Sequence, residues 1–202
     1  MKLKKKNFFA MIARMKYINR WGLMRNTIKE NIAEHSLDVA FIAHGLAVIS
    51  NIYFDGHIDA ERVAVLAMFH DATEIITGDM PTPIKYFAPE IKNAYKNVES
   101  VAAKQLISGL PKEMRYTYED ILTANPEEKK LWTFVKAADK LSAYIKCIEE
   151  MRMGNTDFEQ AKISTFDAVK AMNMPEVDYF LDNFMDSYSL TIDEVTKSKN
   201  EE

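Results

Sequence analysis

Apolar residues recur along this chain at spacings of three and four almost throughout, the period of helices with one buried face. Phe8, Ile12, Met15 and Ile18 open the pattern, and Gly22 offers a stop for the helix they predict. A second helix is expected from about Asn31 to Asn51, with Ile32, His35, Val39, Ile42, Leu46 and Ile49 sharing one stripe. Asp59 can cap a third that runs on to Ile75 or Ile76 and carries Val63, Leu66, Ala67, His70 and Glu74 on one side. Residues 77–83 hold two prolines and a glycine and are expected as loop. Pro89-Glu90 opens a helix towards Ile107 that Gly109 and Pro111 close, and a short helical piece reaches about Leu122. Asn125-Pro126-Glu127-Glu128 combines a capping side chain, a proline at the first helical position and acids favoured by the helix dipole. The helix it starts should run to Met153 and stop at Gly154-Asn155. Two more, over about 157–172 and 176–186, complete the pattern, and beyond Leu190 the polar chain is expected to fray. No run alternates with period two. The expectation is an all-α fold: a single domain with its core over about 8–190 and a polar tail at 191–202.

Composition supports a core and removes several function classes. Of 202 residues 48% are hydrophobic, and only six are glycine and six proline, so connections should be short. The net charge of −4 comes from interspersed signs, which offers no basic footprint for a nucleic-acid polymer. Lys2 and Lys4 to Lys6 read as a solvated start. The apolar run at 8–13 is too short for a signal-peptide core and meets Arg14 and Lys16. The longest unbroken apolar run, 63–69, has seven residues, against the ~20 that a membrane span needs. Cys147 stands alone, which excludes an internal disulfide and a thiolate metal cage. A soluble cytoplasmic protein without a membrane partner is expected.

Candidate chemistry shows as polar residues where the helical pattern wants apolar ones. His35 falls on the stripe of the second helix and His70 on that of the third. Asp71 follows about 100° further round. Asp139 lies mid-helix, four residues after Val135, where aspartate has poor propensity and a buried carboxylate needs a partner. Any one of these has an ordinary explanation: a hydrogen-bonded core histidine, or an aspartate bonded to Lys136 or a helix end. His44 is read in that way, as a core histidine, and His57, between Gly56 and Ile58, as a loop residue. A divalent cation accommodates all four of the others at once, binding neutral imidazole nitrogen and carboxylate oxygen together. Mixed nitrogen and oxygen donors without sulfur suit Mn, Co, Fe, Ni or Zn, and four ligands leave two octahedral positions open, as a catalytic site requires.

The order His35, His70-Asp71, Asp139 resembles the H…HD…D signature of the HD-domain metal-dependent phosphohydrolases. Arg20-Trp21, Glu34-His35-Ser36, His70-Asp71-Ala72-Thr73-Glu74, the run Thr77-Gly78-Asp79-Met80-Pro81-Thr82-Pro83-Ile84-Lys85-Tyr86-Phe87, and Lys136-Ala137-Ala138-Asp139 are similar to the bacterial 5′-deoxynucleotidase, YfbR-type, subfamily. The similarity runs from about Phe8 to the last helices. It implies a helical HD fold that removes the 5′-phosphate from deoxyribonucleoside 5′-monophosphates. It further implies metal ligands at His35, His70, Asp71 and Asp139, an acidic helper at Glu74, and Arg20 and Trp21 beside phosphate and sugar. The sugar-contacting loop falls on Asp79, Met80, Pro81 and Thr82, and His35, Asp71 and Asp139 come to face the substrate too. The implied cation is cobalt or manganese, with zinc, nickel, iron or copper as alternatives, and the implied assembly a homodimer.

The residue chemistry agrees with these roles. Arg20 offers a permanently charged planar fork for phosphate oxygens. Glu74, one turn beyond His70, is placed to accept or donate a proton. Trp21 can crowd out a ribose 2′-hydroxyl, although shape alone rejects an added hydroxyl by only about a hundredfold. Asp79 can accept from the sugar 3′-hydroxyl, and nothing reads a base edge, so broad base tolerance is expected. Two alternatives remain open: another HD phosphohydrolase (a deoxynucleoside triphosphatase, for which Arg20 and Lys85 offer little cation, or a phosphodiesterase), and a non-catalytic HD interaction domain.

Overall fold

A 22-residue helix forms the axis of the molecule, and its start is specified locally. The computed structural model describes residues 6–85, 87–123 and 125–197, save the side chains of Thr82 and Lys197. Lys2, Lys4, Lys5, Tyr86, the Thr82 side chain and residues 198–202 lie outside the described residues. The chain opens with α1 (Phe8–Ile12), which tightens into a 3-10 turn over Ala13–Tyr17. Helix α2 (Ile32–Tyr53) begins at a capping box: the Asn31 side chain accepts from the N–H groups of Ala33 and Glu34, and the Glu34 carboxylate accepts from the Asn31 N–H. Its stripe of Ile32, His35, Val39, Ile42, Leu46 and Ile49 is buried as expected. By length and composition α2 alone among the described helices is long and apolar enough to cross a membrane, and 56% of that apolar window is buried inside the fold.

The remaining helices follow along the chain. They are α3 (Ala60–Phe69), α4 (Glu74–Thr77), α5 (Thr82–Lys85), α6 (Pro89–Ser108), α7 (Lys112–Leu122), α8 (Lys129–Arg152), α9 (Glu159–Lys170), α10 (Pro175–Phe184) and α11 (Ile192–Lys197). The main core joins α2, α3 and α8 through residues such as Leu46, Leu66 and Leu141, all fully buried. Removing one such leucine side chain costs about 2–5 kcal/mol. Cys147 is buried and unpaired. Among the described residues there is no strand, only an isolated antiparallel bridge between Asn19 and Asn31.

Five local expectations need correction. The first helix stops at Tyr17, well before Gly22, because Ile18 turns extended and its carbonyl accepts from the Ile32 N–H at 2.9 Å. The third helix does not run to residue 75. The His70 ring takes the Ala67 carbonyl at 2.7 Å, and the chain continues in i to i−3 bonds, Ala72 to Phe69 and Glu74 to Asp71, before α4 forms. Residues 77–83 are not loop throughout: α4 ends at Gly78, whose φ of 74° favours glycine, and Thr82 starts α5. The tail does not fray directly after Leu190, since Ile192–Lys197 is helical and exposed through Thr196. His44 is exposed rather than in the core, because it lies two residues from both Ile42 and Leu46, about 160° round the helix. His57 stays an exposed coil residue.

Candidate active site

Helix α2, the turn after α3 and the middle of α8 bring the four predicted ligands together. Donor atoms of His35, His70 and Asp71 all lie within 4.8 Å of one another. Asp139 Oδ1 stands 3.1 Å from His35 Nε2 and 4.0 Å from His70 Nε2, while Asp71 Oδ2 is 3.6 Å and 3.2 Å from the same two nitrogens. The break at 70–73 makes this possible, since it turns Asp71 off the track of α3 towards both histidines. His35 is wholly buried, whereas the Asp139 side chain remains 42% exposed, so the cluster opens on the Asp139 side.

The donor set fits a divalent cation. His70 Nδ1 donates to the Ala67 carbonyl, which leaves Nε2 as the lone-pair nitrogen; that atom is buried and has no hydrogen-bond partner. A buried acceptor facing carboxylates at 3–4 Å is costly unless something positive completes it. His35 is arranged similarly. Its Nδ1 faces Glu30 Oε1 and Ser142 Oγ, each at 3.2 Å, and its Nε2 faces the aspartates. Mixed nitrogen and oxygen donors of this kind suit a transition metal.

The electrostatics follow from this crowding. Burial and the Arg20 charge work against protonating His35, but its bonds to Asp139 and Glu30 outweigh them and lift it to about 9. Burial pushes Asp71 up, yet the His70 and His35 rings more than offset this and hold it at about 2. Asp139 also lies below the usual carboxylate range: its bond to His35 and the surrounding positive groups overcome desolvation. Glu74 goes the other way. Buried at the start of α4 and facing the negative charges of Asp71 and Asp79, it is pushed up to about 9, and its Oε2 has no partner.

Arg20 and Trp21 arrive on the irregular segment between α1 and α2. Arg20 N–H donates to the Glu30 carbonyl at 2.9 Å beside the bridge at Asn19 and Asn31, and Arg20 Nη1 donates to Asp71 Oδ2 at 3.4 Å. Burial disfavours the Arg20 charge, but Asp139, Glu30, Asp71 and Asp79 around it raise its pKa all the same. Trp21 adopts φ 57°, a left-handed conformation costing a non-glycine residue about 1–3 kcal/mol. It is held there by its indole N–H on Glu30 Oε2 at 2.9 Å, by Asn26 Nδ2 on its carbonyl at 3.2 Å, and by its ring tilted against Phe158. Asp79 is half-buried; burial raises its pKa, opposed by Arg20 and by a bond from the Trp21 N–H. Met80 and Pro81 follow half-buried, and Pro81 offers its carbonyl to Ile84 and Lys85 at the start of α5.

Three residues that matter here were invisible in the sequence. Glu30 touches Arg20, Trp21 and His35, and Ser142 backs His35. Glu150, buried near the end of α8, accepts from the Thr27 and Ile28 N–H groups, Asn155 Nδ2 and Lys146 Nζ, and so pins the segment that carries Arg20 and Trp21. Glu30 and the partners of Glu150 at 27 and 28 lie in an aperiodic stretch, so no face marks them.

An all-helical fold with an H…HD…D cluster between its central helices is the architecture of HD-domain phosphohydrolases. An HD-domain phosphohydrolase from Listeria innocua superposes with a TM-score of 0.76 at 21% identity, over 95% of this chain and 96% of that one. The cyanophage S-2L HD phosphohydrolase DatZ, solved bound to dA and one catalytic Zn2+ ion, superposes at 0.63 with 19% identity, over 93% and 99%. The chain belongs to the 5′-deoxynucleotidase YfbR-like family, whose model matches residues 7–188. A 5′-deoxynucleotidase of Yersinia pseudotuberculosis serotype I (strain IP32953) is 49% identical over 190 residues, 94% of this chain and 96% of its own. One from Yersinia pestis (strain Pestoides F) matches to the same extent.

Proposed function

We propose that one HD domain, with its core over about 8–190, hydrolyses deoxyribonucleoside 5′-monophosphates to deoxyribonucleosides and phosphate. The observation that carries this reading is the convergence of His35, His70, Asp71 and Asp139 beside the Arg20 guanidinium. Family membership and the 49% identity to chains named 5′-deoxynucleotidase support it. The four residues would hold a divalent cation, cobalt or manganese, with zinc, nickel, iron or copper as alternatives. Such an ion supplies Lewis acidity towards phosphate oxygen and a water acidified towards neutral pH. Arg20, charged throughout the working pH range, neutralises phosphate oxygens as charge shifts in the transition state. Glu74 moves the proton. Trp21 and Asp79, joined through the Trp21 backbone N–H, form the wall for the sugar, with Met80, Pro81 and Thr82 completing the loop.

Nothing in this set reads a base edge, so several bases are accepted, and ribonucleotides are turned away by shape to about a hundredfold. A triphosphate would want more cation than Arg20 gives, and Lys85 is engaged by Glu99 at 3.1 Å. The same reading takes a cytoplasmic homodimer without a membrane or nucleic-acid polymer as partner. Exposed apolar Leu37 and Met68 line a shallow groove of about 400 Å³ between the α1 segment, α2 and α3, which offers a surface for such a contact.

The test is a phosphate-release screen of deoxy- and ribonucleoside monophosphates across these metals, with Asp139→Ala beside the wild type. Phosphate should come from several deoxynucleotides, little from ribonucleotides and none with a chelator. Asp139→Ala should lose metal and nearly all turnover while keeping its helical circular dichroism. Unimpaired turnover in that variant defeats the ligand assignment.

A further inference from the structure

Glu30 lies outside the resemblance on which the site was first read, yet three of its functional side chains meet on this one carboxylate. Oε1 is 3.2 Å from His35 Nδ1 and 3.5 Å from Arg20 Nε, an ion-pair distance outside hydrogen-bond geometry. Oε2 accepts from Trp21 Nε1 at 2.9 Å. All three facing atoms are donors when Nε2 of His35 serves as the metal ligand, and an ionised carboxylate is a pure acceptor. Glu30 is 13% exposed, and the bridge between Asn19 and Asn31 fixes its backbone beside Arg20. A histidine that binds metal through one nitrogen gains basicity and orientation from a carboxylate on the other, and loss of that partner typically costs about 10–100-fold in metal affinity. The bond to Trp21 also restrains a side chain whose backbone sits in a strained left-handed conformation.

We propose that Glu30 is the positioning residue that couples the metal ligand His35 to the sugar-selecting Trp21 and the phosphate-binding Arg20, so that one carboxylate sets metal affinity and deoxyribose selectivity together. This rests on the 5′-deoxynucleotidase reading for its selectivity half and only on the His35 ligand role for its metal half. Glu30→Gln presents an amide N–H₂ to at least one of the three donors, whichever way the amide is turned.

The test uses the full chain stripped of metal. Cobalt affinity is measured by calorimetry, and selectivity as kcat/KM for deoxyadenosine 5′-monophosphate over that for adenosine 5′-monophosphate. Glu30→Gln should bind cobalt about 10–100-fold more weakly, and its selectivity should fall about tenfold, the worth of one hydrogen bond at the upper end of its net range. Trp21→Phe keeps a ring and the backbone N–H but loses the indole N–H; it should lose selectivity while binding cobalt as the wild type does. Glu176→Gln alters another buried carboxylate, bonded to Ser50 some four turns along α2, and should leave both readouts alone. A folded Glu30→Gln with wild-type cobalt affinity and selectivity overturns the proposal. So does a Trp21→Phe variant with wild-type selectivity, which decides the matter if Glu30→Gln fails to fold. A wild type that hydrolyses neither nucleotide defeats the functional reading instead, and the cobalt titration then still decides the role of Glu30 towards His35.

Discussion

Glu74 carries a carboxyl oxygen, Oε2, that is buried without a hydrogen-bond partner, a condition a charged group tolerates poorly. Desolvation and the nearby Asp71 and Asp79 push it up to about 9, so near neutral pH it holds a proton in the metal-free protein. A glutamine there copies the shape and neutrality of the protonated acid but transfers no proton. Glu74→Gln should therefore melt within a few degrees of the wild type while kcat falls about 10²–10⁴-fold, the usual worth of general acid–base catalysis. Comparable kcat values in the two proteins would remove Glu74 from the proton path. His35 and His70 were legible in the sequence because helical periodicity defines a face and each stands on it; Glu74 was marked only by the resemblance, since the helix that would carry it on that face breaks over 70–73. Asp139 was legible because aspartate is out of place in the middle of a long helix. Glu30 and Ser142 were not. Their importance arises from what packs against them, and a glutamate before a capping asparagine or a serine in a helix is unremarkable by itself.

At the scale of elements, His35 depends on where α2 starts. The Asn31 side chain closes two N–H groups at 3.0 and 3.1 Å, and His35 follows one turn later. Asn31→Ala should cost about 1 kcal/mol, within the 0.5–2 range for such caps. For a chain of this length that lowers the melting temperature by about 2–4 °C per kcal/mol. Asn31→Asp, which keeps the acceptor, should melt near the wild type; equal losses in the two variants would show that the cap is not what fixes the helix start. The helices themselves were readable since capping residues such as Asn31, Asp59 and Asn125 and stops such as Gly109 and Gly154 act locally. The interruptions were not. His70 ends α3 by drawing on the Ala67 carbonyl, and Ile18 leaves its helix to pair with Ile32, so both boundaries come from competition for one acceptor or from a distant partner. Local propensity carries no record of either.

For the whole molecule, the site is a joint. α2, the turn after α3 and α8 meet at His35, Asp71 and Asp139, so whatever positive charge sits among them ties three elements together. Without metal the proton on His35 supplies such a charge, beside the permanent one on Arg20. The His35 pKa is raised from 6.5 to about 9, so its stabilisation is complete below pH 6.5 and is lost as pH climbs through 9. Glu74 acts in the same direction: its pKa is raised from 4.5 to about 9, so the folded chain gives up a favoured proton over the rise to pH 9. Asp71, held at about 2, contributes nothing to this window, because it is ionised throughout. The stripped protein should therefore lose melting temperature between pH 6 and 9. A bound cation replaces the His35 proton, and its affinity grows as proton competition recedes. Manganese at about a hundred times its dissociation constant adds about 2.7 kcal/mol, some 5–10 °C at this chain length. At fixed manganese the gap in melting temperature between loaded and stripped protein should widen from pH 6 to pH 9. The joint is disproved if paired melts across that range show a gap that stays flat or narrows.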